Sequence, residues 1–398
     1  MGIQPRQCDS FNPYDPEVYE DPYPSYAWLR DEDPVHHNEE LDIWVLSRHA
    51  DVAAGLRDHT RFSNSYGVLI EPSTWGPDAY KQLSFVAMDP PRHTHVRGLV
   101  SRGFTPRRVA ALEPQIRQIA REHINTALEQ DDLDLVTDIA SKVPMDVISE
   151  LAGVPAADRK RIRRLGNLCA HRPPGARDIP AESLAAIHSL IGYYMELIAE
   201  RRRAPRDDLV SALTAVAAED HEFGDEDIAA FLTLLVGAGN ETTQNLLGNA
   251  WYWAWRNPGQ RAAAFDGNIS GWIEETLRYD CVAQYMARRL VEDTVMHGVT
   301  VPAGACMMLL IGSANRDPRV FPDTDRYDLS RDTSAMVAFS SGPHYCLGAA
   351  LARLEARVVL EEFVAHVADY DIDPGALRRL YGANTRGFTA LPAVAKAR

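Results

Sequence analysis

The sequence is short of several things. No apolar run in its 398 residues approaches the roughly 20 needed to cross a bilayer. The N-terminus, Met1 to Arg6, lacks the apolar core of a signal peptide, and Arg6 stands where a myristoylation signal wants Ser or Thr. Cysteine is scarce. Cys8, Cys169, Cys281, Cys306 and Cys346 are scattered, odd in number and without a CxxC pair. That excludes a disulfide framework and a structural zinc site, and points to a reduced, cytoplasmic setting. Positive charge is outweighed too: 41 Lys and Arg against 56 Asp and Glu leave −15 with His neutral. Such a chain has little general affinity for nucleic acid or anionic membrane, although a local basic patch can still meet an acidic partner. Internal repeats and low-complexity tracts are also missing.

What remains is ordinary for a soluble globular chain, with 45% hydrophobic and 24% charged residues. A prior of about 150 residues per domain would allow more than one unit. No linker-like break interrupts the composition, so the chain is equally compatible with a single domain over 1–398. Within it we expect a β-containing part over about 1–60, an α-rich body over about 92–280, β pieces and a cysteine loop over about 281–346, and a last helix with C-terminal strands over about 347–398.

The first twenty residues, rich in Pro, Asp, Tyr and Asn, read as an extended arm. Leu41–Leu46 has strand character and His49–Asp58 reads as helix. The passage Ser63–Pro91 is long for a structureless connection, and such passages often serve as lids or binding loops. Strand character returns at Thr294–Val301 and Cys306–Ile311, joined in a hairpin by Pro302-Ala303-Gly304. In the last helix Leu347, Leu351, Leu354 and Val358 share one face.

The most informative segment is Phe339-Ser-Ser-Gly-Pro-His-Tyr-Cys-Leu-Gly348. Gly342-Pro343 imposes a turn, and Cys346 stands just before the helix. Unsatisfied N–H groups and the positive end of the helix dipole there favour a thiolate, which is a metal ligand. Gly348 would let the backbone approach something flat and bulky. Zinc held by His344 and Cys346 fits poorly, since no second ligand pair lies nearby. A catalytic thiol with a distant His and an Asn or Asp stays open.

The run Phe339–Gly348 matches F-x-x-G-x-H-x-C-x-G and resembles the haem-binding loop of cytochrome P450 enzymes, in the bacterial variant with His before the Cys. The resemblance implies a mostly α fold with small β-sheets, an α-rich triangular prism with a β-rich lobe. It implies haem b with Cys346 as axial ligand of the iron and His344 at a propionate. Glu275-x-x-Arg278, by itself an i, i+3 surface pair, resembles the family's E-x-x-R, a structural network in which Arg326 is the candidate third member. His93 and Arg97 share a helical face as H-x-x-x-R and, with Arg288, become further propionate contacts by resemblance. A buried dianionic edge needs such partners.

Upstream, Gly239 sits within a helical pattern, where glycine costs about 1 kcal/mol relative to alanine. Close helix packing would explain it. Gly237-Ala-Gly239 is no dinucleotide loop, because no strand precedes it and Thr242 stands where the last small residue should be. Ala238-Gly-Asn-Glu-Thr242 resembles the family's A-G-x-[DE]-T. By that resemblance Thr242 holds activated oxygen and Glu241 relays protons to it.

Where the family has Pro-Val after the E-x-x-R helix, this chain has Val282-Ala283. Expected pocket residues are Phe85, Val86, Leu235, Ala238, Ala283, Gln284, Met286 and Thr385, a mainly apolar set suited to a small molecule. The resemblance implies a monooxygenase that uses O2 and NAD(P)H, through separate ferredoxin reductase and ferredoxin, on a small apolar or aromatic molecule. Oxidative coupling, desaturation or dealkylation at the same haem are alternatives, and a haem carrier or gas sensor is a distant one. Arg353 and Arg357, with Arg102, Arg107 and Arg108, form the candidate basic patch for ferredoxin. A cytoplasmic monomer that binds neither nucleic acid nor membrane is expected.

Overall fold

The computed structural model describes residues 11–130 and 132–398. Residues 1–10 of the expected arm, Cys8 included, lie outside the described residues. The rest of the arm is not extended, because Pro16–Glu20 forms a short helix. Its cap explains why: the Asp15 carboxylate accepts from the Glu17 N–H at 3.1 Å, and Pro16 opens the helix where no N–H is needed.

The architecture is mostly α with small sheets. Its longest helix, Asp225–Arg256, has 32 residues, about 48 Å at a rise of 1.5 Å per residue. Asp225, Glu226 and Asp227 occupy its first turn against the positive dipole end, and Asp227 accepts from the Gly224 N–H at 3.0 Å. Ala181–Arg203, Val143–Ala152, Ile269–Tyr279 and Ala349–His366 pack against it, so it runs through the largest hydrophobic core. Ala349–His366 also lies on Glu113–Leu128, and Leu351, Leu354 and Val358 of its expected stripe are buried there.

A five-stranded sheet runs in the order Val35–Asn38, Ile43–Leu46, Cys306–Leu309, Met286–Leu290, Phe62–Ser63. Ile43–Leu46 and Cys306–Leu309 run parallel, with Ile43 opposite Cys306 and Leu46 opposite Leu309. The other pairings in this sheet are antiparallel.

The expected hairpin through Pro302 is corrected. Thr294–Met296 folds back onto Val299–Val301, while Cys306–Leu309 leaves for the larger sheet. The turn lies at His297-Gly298, whose φ values of 49° and 81° suit the two-residue turns that match strand twist. An eight-residue run read as one strand thus hides a His-Gly turn.

Candidate active site

The cysteine loop is fixed by its glycine. Gly342 has a φ of 67°, and a Cβ there would stand 2.9 Å from the Arg57 Cα. The Cys346 N–H donates to the Phe339 carbonyl at 2.9 Å and closes the loop ahead of the helix that begins at Ala349. Burial pushes the Cys346 thiol above its ordinary range. It outweighs the opposing pull of the Gly348 N–H, the Arg97 and Arg353 guanidiniums and the Ala349 N–H. The Gly348 and Ala349 N–H groups at the helix start do pull the thiol down, as expected, but burial outweighs them. A metal cation at the sulfur would supply the missing stabilisation.

Cys346 lines a cavity of about 460 Å³. Phe85, Val86, Leu235, Ala238, Ala283, Met286 and Thr385 line it as expected, together with Gly348, where an added Cβ would meet nothing within 4 Å. Gln284 does not, and that expectation is corrected. Its amide is buried on the other side of the segment, where it accepts from the Tyr26 O–H at 3.0 Å and donates to the Cys281 carbonyl. Ala283, which bridges to Thr385, faces the cavity instead.

His344, Arg97 and Arg288 line the same space, and His93 packs on His344 with ring centroids 4.0 Å apart. All four ring nitrogens of the two histidines are buried without a hydrogen-bond partner among the described residues. Burial first, then Arg97, pulls His93 down to about 4. Burial, then Arg288, pulls His344 to about 2. Arg288 falls to about 10 through burial, opposed by Asp89. Neither Arg97 nor Arg288 makes an ion pair among the described residues. Arg97 donates to the Tyr345 carbonyl at 2.5 Å and Arg288 to the Ala287 carbonyl at 2.7 Å. Such a collection of buried donors calls for an anion.

On the long helix the Thr242 hydroxyl donates to the Ala238 carbonyl at 2.6 Å, and Glu241 accepts from the Thr385 hydroxyl at 2.8 Å. Both residues line the cavity. Burial raises Glu241 above the ordinary carboxylate range, against the Thr385 hydrogen bond. Gly239 is explained by packing, since a Cβ would come within 2.6 Å of Ile148 Cδ1, whereas a Cβ on Gly237 would meet open space.

The family model described as cytochrome P450 matches residues 270–367. A relative assigned as cytochrome P450 123 of Mycobacterium tuberculosis is 48% identical over 390 residues, 97% of each chain. The chain belongs to the cytochrome P450 family. Vitamin D(3) 25-hydroxylase of Pseudonocardia autotrophica is 38% identical over 383 residues, covering 94% of each. The solved structure of cytochrome P450 CYP109Q5 from Chondromyces apiculatus superposes with a TM-score of 0.88 at 34% identity over 98% of each chain. The protein is therefore a P450 monooxygenase, and its family implies haem b and O2. The residues present fit haem: a cysteine at the cavity wall, an open glycine beside it, two imidazoles without hydrogen-bond partners and two guanidiniums without an ion pair among the described residues.

Beneath the cysteine helix of this P450, Arg278 donates Nε and Nη2 to the two Glu275 oxygens, each at 2.8 Å. The pair is fully buried and satisfied further. Arg278 reaches the Asn315 carbonyl at 3.0 Å and the Thr324 hydroxyl and carbonyl at 3.1 Å. The Asp328 N–H donates to Glu275 at 3.0 Å. Arg326 is not the third member: its side chain is 66% exposed and pairs only with Asp328, at 3.6 Å. Arg331 takes that place, its Nε 3.3 Å from Glu275 Oε1 and its side chain 11% exposed. The chain turns at Asp328-Leu-Ser, which swings Arg331 inward and leaves Arg326 only its carbonyl to contribute.

Two of the expected patch arginines are engaged as well. Arg353 pairs with Glu274 at 2.6 Å, and Arg357 with Glu113 at 2.6 Å and Glu361 at 3.0 Å. Arg102, Arg107 and Arg108 are exposed without an ion pair among the described residues. Sequence reasoning missed Glu71 and Arg172, which line the cavity from two separate connections. The only signal was the length of the Ser63–Pro91 passage. No helix among the described residues is long and apolar enough to cross a membrane.

Proposed function

We propose that this P450 inserts one oxygen atom from O2 into a small, mainly apolar or aromatic molecule, with electrons from NAD(P)H passed through ferredoxin reductase and ferredoxin. The observation that carries this reading is one cavity into which Cys346, Glu241, Thr242 and a largely apolar wall all open. The name of the Pseudonocardia relative, a hydroxylase, supports the reaction class.

Haem, when bound, supplies an iron that takes O2 and two electrons, with a thiolate donor that favours O–O cleavage. Cys346 provides that thiolate. His93, Arg97, Arg288 and His344 would hold the carboxylates of the group, and Gly348 would leave room for it. Glu275, Arg278 and Arg331 fix the segment that backs the cysteine loop. Thr242, at the cavity wall with its hydroxyl bonded back to the Ala238 carbonyl, would hold oxygen in place for protonation. Glu241, kept protonated to higher pH than an ordinary carboxyl, passes protons toward it. Arg102, Arg107 and Arg108 offer the free basic face for an acidic ferredoxin.

The test is turnover of the reconstituted system under 18O2. One labelled atom per product supports the reading. A product without label moves the activity to coupling or desaturation, and absence of NAD(P)H-dependent turnover with any redox partner favours a haem carrier or sensor.

A further inference from the structure

We propose that Glu71 and Arg172 form a receptor in the cavity wall for one neutral hydroxyl group of the substrate. This rests on the monooxygenase reading above and narrows its substrate class to mainly apolar molecules that carry such a group.

Glu71 stands at the start of the Pro72–Thr74 turn, and Arg172 follows the Ala156–Ala170 helix. Both line the cavity. Each is held by its neighbours. The Glu71 carbonyl accepts from the Thr74 N–H at 2.9 Å and its hydroxyl at 3.0 Å, while Arg172 Nη1 donates to the Cys169 and His171 carbonyls, both at 2.9 Å. Yet the two side chains do not close on one another. Arg172 Nε stands 3.9 Å from Glu71 Oε1, within Coulombic reach but too far for a hydrogen bond.

What is left over defines the ligand. Glu71 is 7% exposed, and its Oε2 is buried with no partner among the described residues; Arg172 Nε is in the same state. A buried polar atom without a partner costs about 1–3 kcal/mol, so an unpaired acceptor and an unpaired donor on neighbouring side chains call for a group that does both. A hydroxyl donates to Oε2 and accepts from Nε. Charge decides between hydroxyl and ion. Arg172 offsets Glu71, and the Asp178 and Glu241 carboxyls also lie within Coulombic reach, so an anionic ligand group would meet carboxylates while a neutral hydroxyl carries no such cost. Burial also pushes the Glu71 carboxyl up, with Arg172 opposing, and a donated hydrogen bond would relieve that desolvation. The same cavity wall includes Val68, Leu69, Leu83, Ile179 and Ile187, available to the hydrocarbon part.

The haem-loaded enzyme tests this with spectral binding titrations of biphenyl, 4-phenylphenol and biphenyl-4-carboxylate, and of the shorter-reach pair cyclohexylbenzene and 4-cyclohexylphenol. The readout is the ratio of phenol to parent affinity. Glu71→Leu and Arg172→Leu should each lower that ratio roughly tenfold in at least one pair, about one hydrogen bond to a charged group. Parent affinity is measured in every variant as the reference for that ratio, and the thiolate-haem absorption of the reduced carbon monoxide form should be retained. Glu71→Gln keeps the shape and unbalances the charge, so biphenyl-4-carboxylate should gain roughly tenfold in that variant.

Equal ratios in wild type and variants for both pairs, or a wild-type preference for the carboxylate, would overturn the receptor and leave the monooxygenase reading intact. A purified chain that lacks the thiolate-haem spectrum would overturn both.

Discussion

Replacing Arg331 by alanine removes a side chain that ties the irregular 315–333 segment to Glu275. Its Nη2 donates to the Asp323 and Arg326 carbonyls at 2.9 and 3.0 Å, its Nη1 to the Pro322 carbonyl, and its Nε approaches Glu275 at 3.3 Å. Arg278 stays on Glu275 in the variant, so the loss falls below the roughly 3–5 kcal/mol of a buried ion pair left without one partner. The carbonyls lie near the surface and regain water, which brings the expected loss to about 2–3 kcal/mol. Unfolding entropy of about 2.1 cal/mol/K per residue over 398 residues gives about 0.8 kcal/mol/K, so Tm should fall by about 3 °C. Arg326→Ala touches one exposed pair worth about 0–0.5 kcal/mol and should move Tm by less than about 1 °C. Slow thermal melts of the haem-loaded protein, followed by far-UV circular dichroism and by haem absorbance, measure both. An Arg326 effect equal to or larger than that of Arg331 would refute the assignment of the network.

Glu241 carries a pH prediction. A carboxyl raised by burial keeps its proton above the ordinary value of 4.5, so product formation should fall as pH rises through the raised value. Thr385→Val removes a bond that lowers it and should move that limb to higher pH; Glu241→Gln should abolish the limb, as pH–rate profiles will tell. Gly237→Ala should raise Tm through helix propensity worth about 1 kcal/mol. Gly239→Ala presses on Ile148, where overpacking of about 1–3 kcal/mol should make it the less stable variant in parallel melts. Reversing Arg107 and Arg108 to Glu should slow reduction by a ferredoxin and flatten its salt dependence in stopped-flow traces, more than Arg357→Glu, whose guanidinium is already paired.

How much of this was readable in advance differs by residue. Cys346 and Gly342 could be placed because a turn and a helix start fix side-chain direction locally, whereas the i, i+3 spacing of Glu275 and Arg278 suggested only a surface pair and their buried network was implied by the family resemblance. Arg331 and Arg326 could not be told apart, since the segment between Asn315 and Thr333 has no periodicity and holds several arginines. Gln284 was misplaced for a related reason: in a short extended segment adjacent residues face opposite ways, and polarity alone does not say which faces the cavity. The engagement of Arg353 depends on Glu274, 79 residues away. Glu71 and Arg172 meet only because two connections fold over the same cavity. Local pattern reaches the cysteine loop and the helices; the cavity wall is tertiary.

Ligation by Cys346 can be measured most directly by the absorption of the ferrous carbon monoxide form, with wild type and Cys346→His side by side after haem loading. Wild type should show the thiolate-haem band, and Cys346→His should lose it while haem remains bound through nitrogen. A wild-type spectrum of nitrogen ligation, or a thiolate band that survives in Cys346→His, would contradict the assignment of this sulfur to the iron.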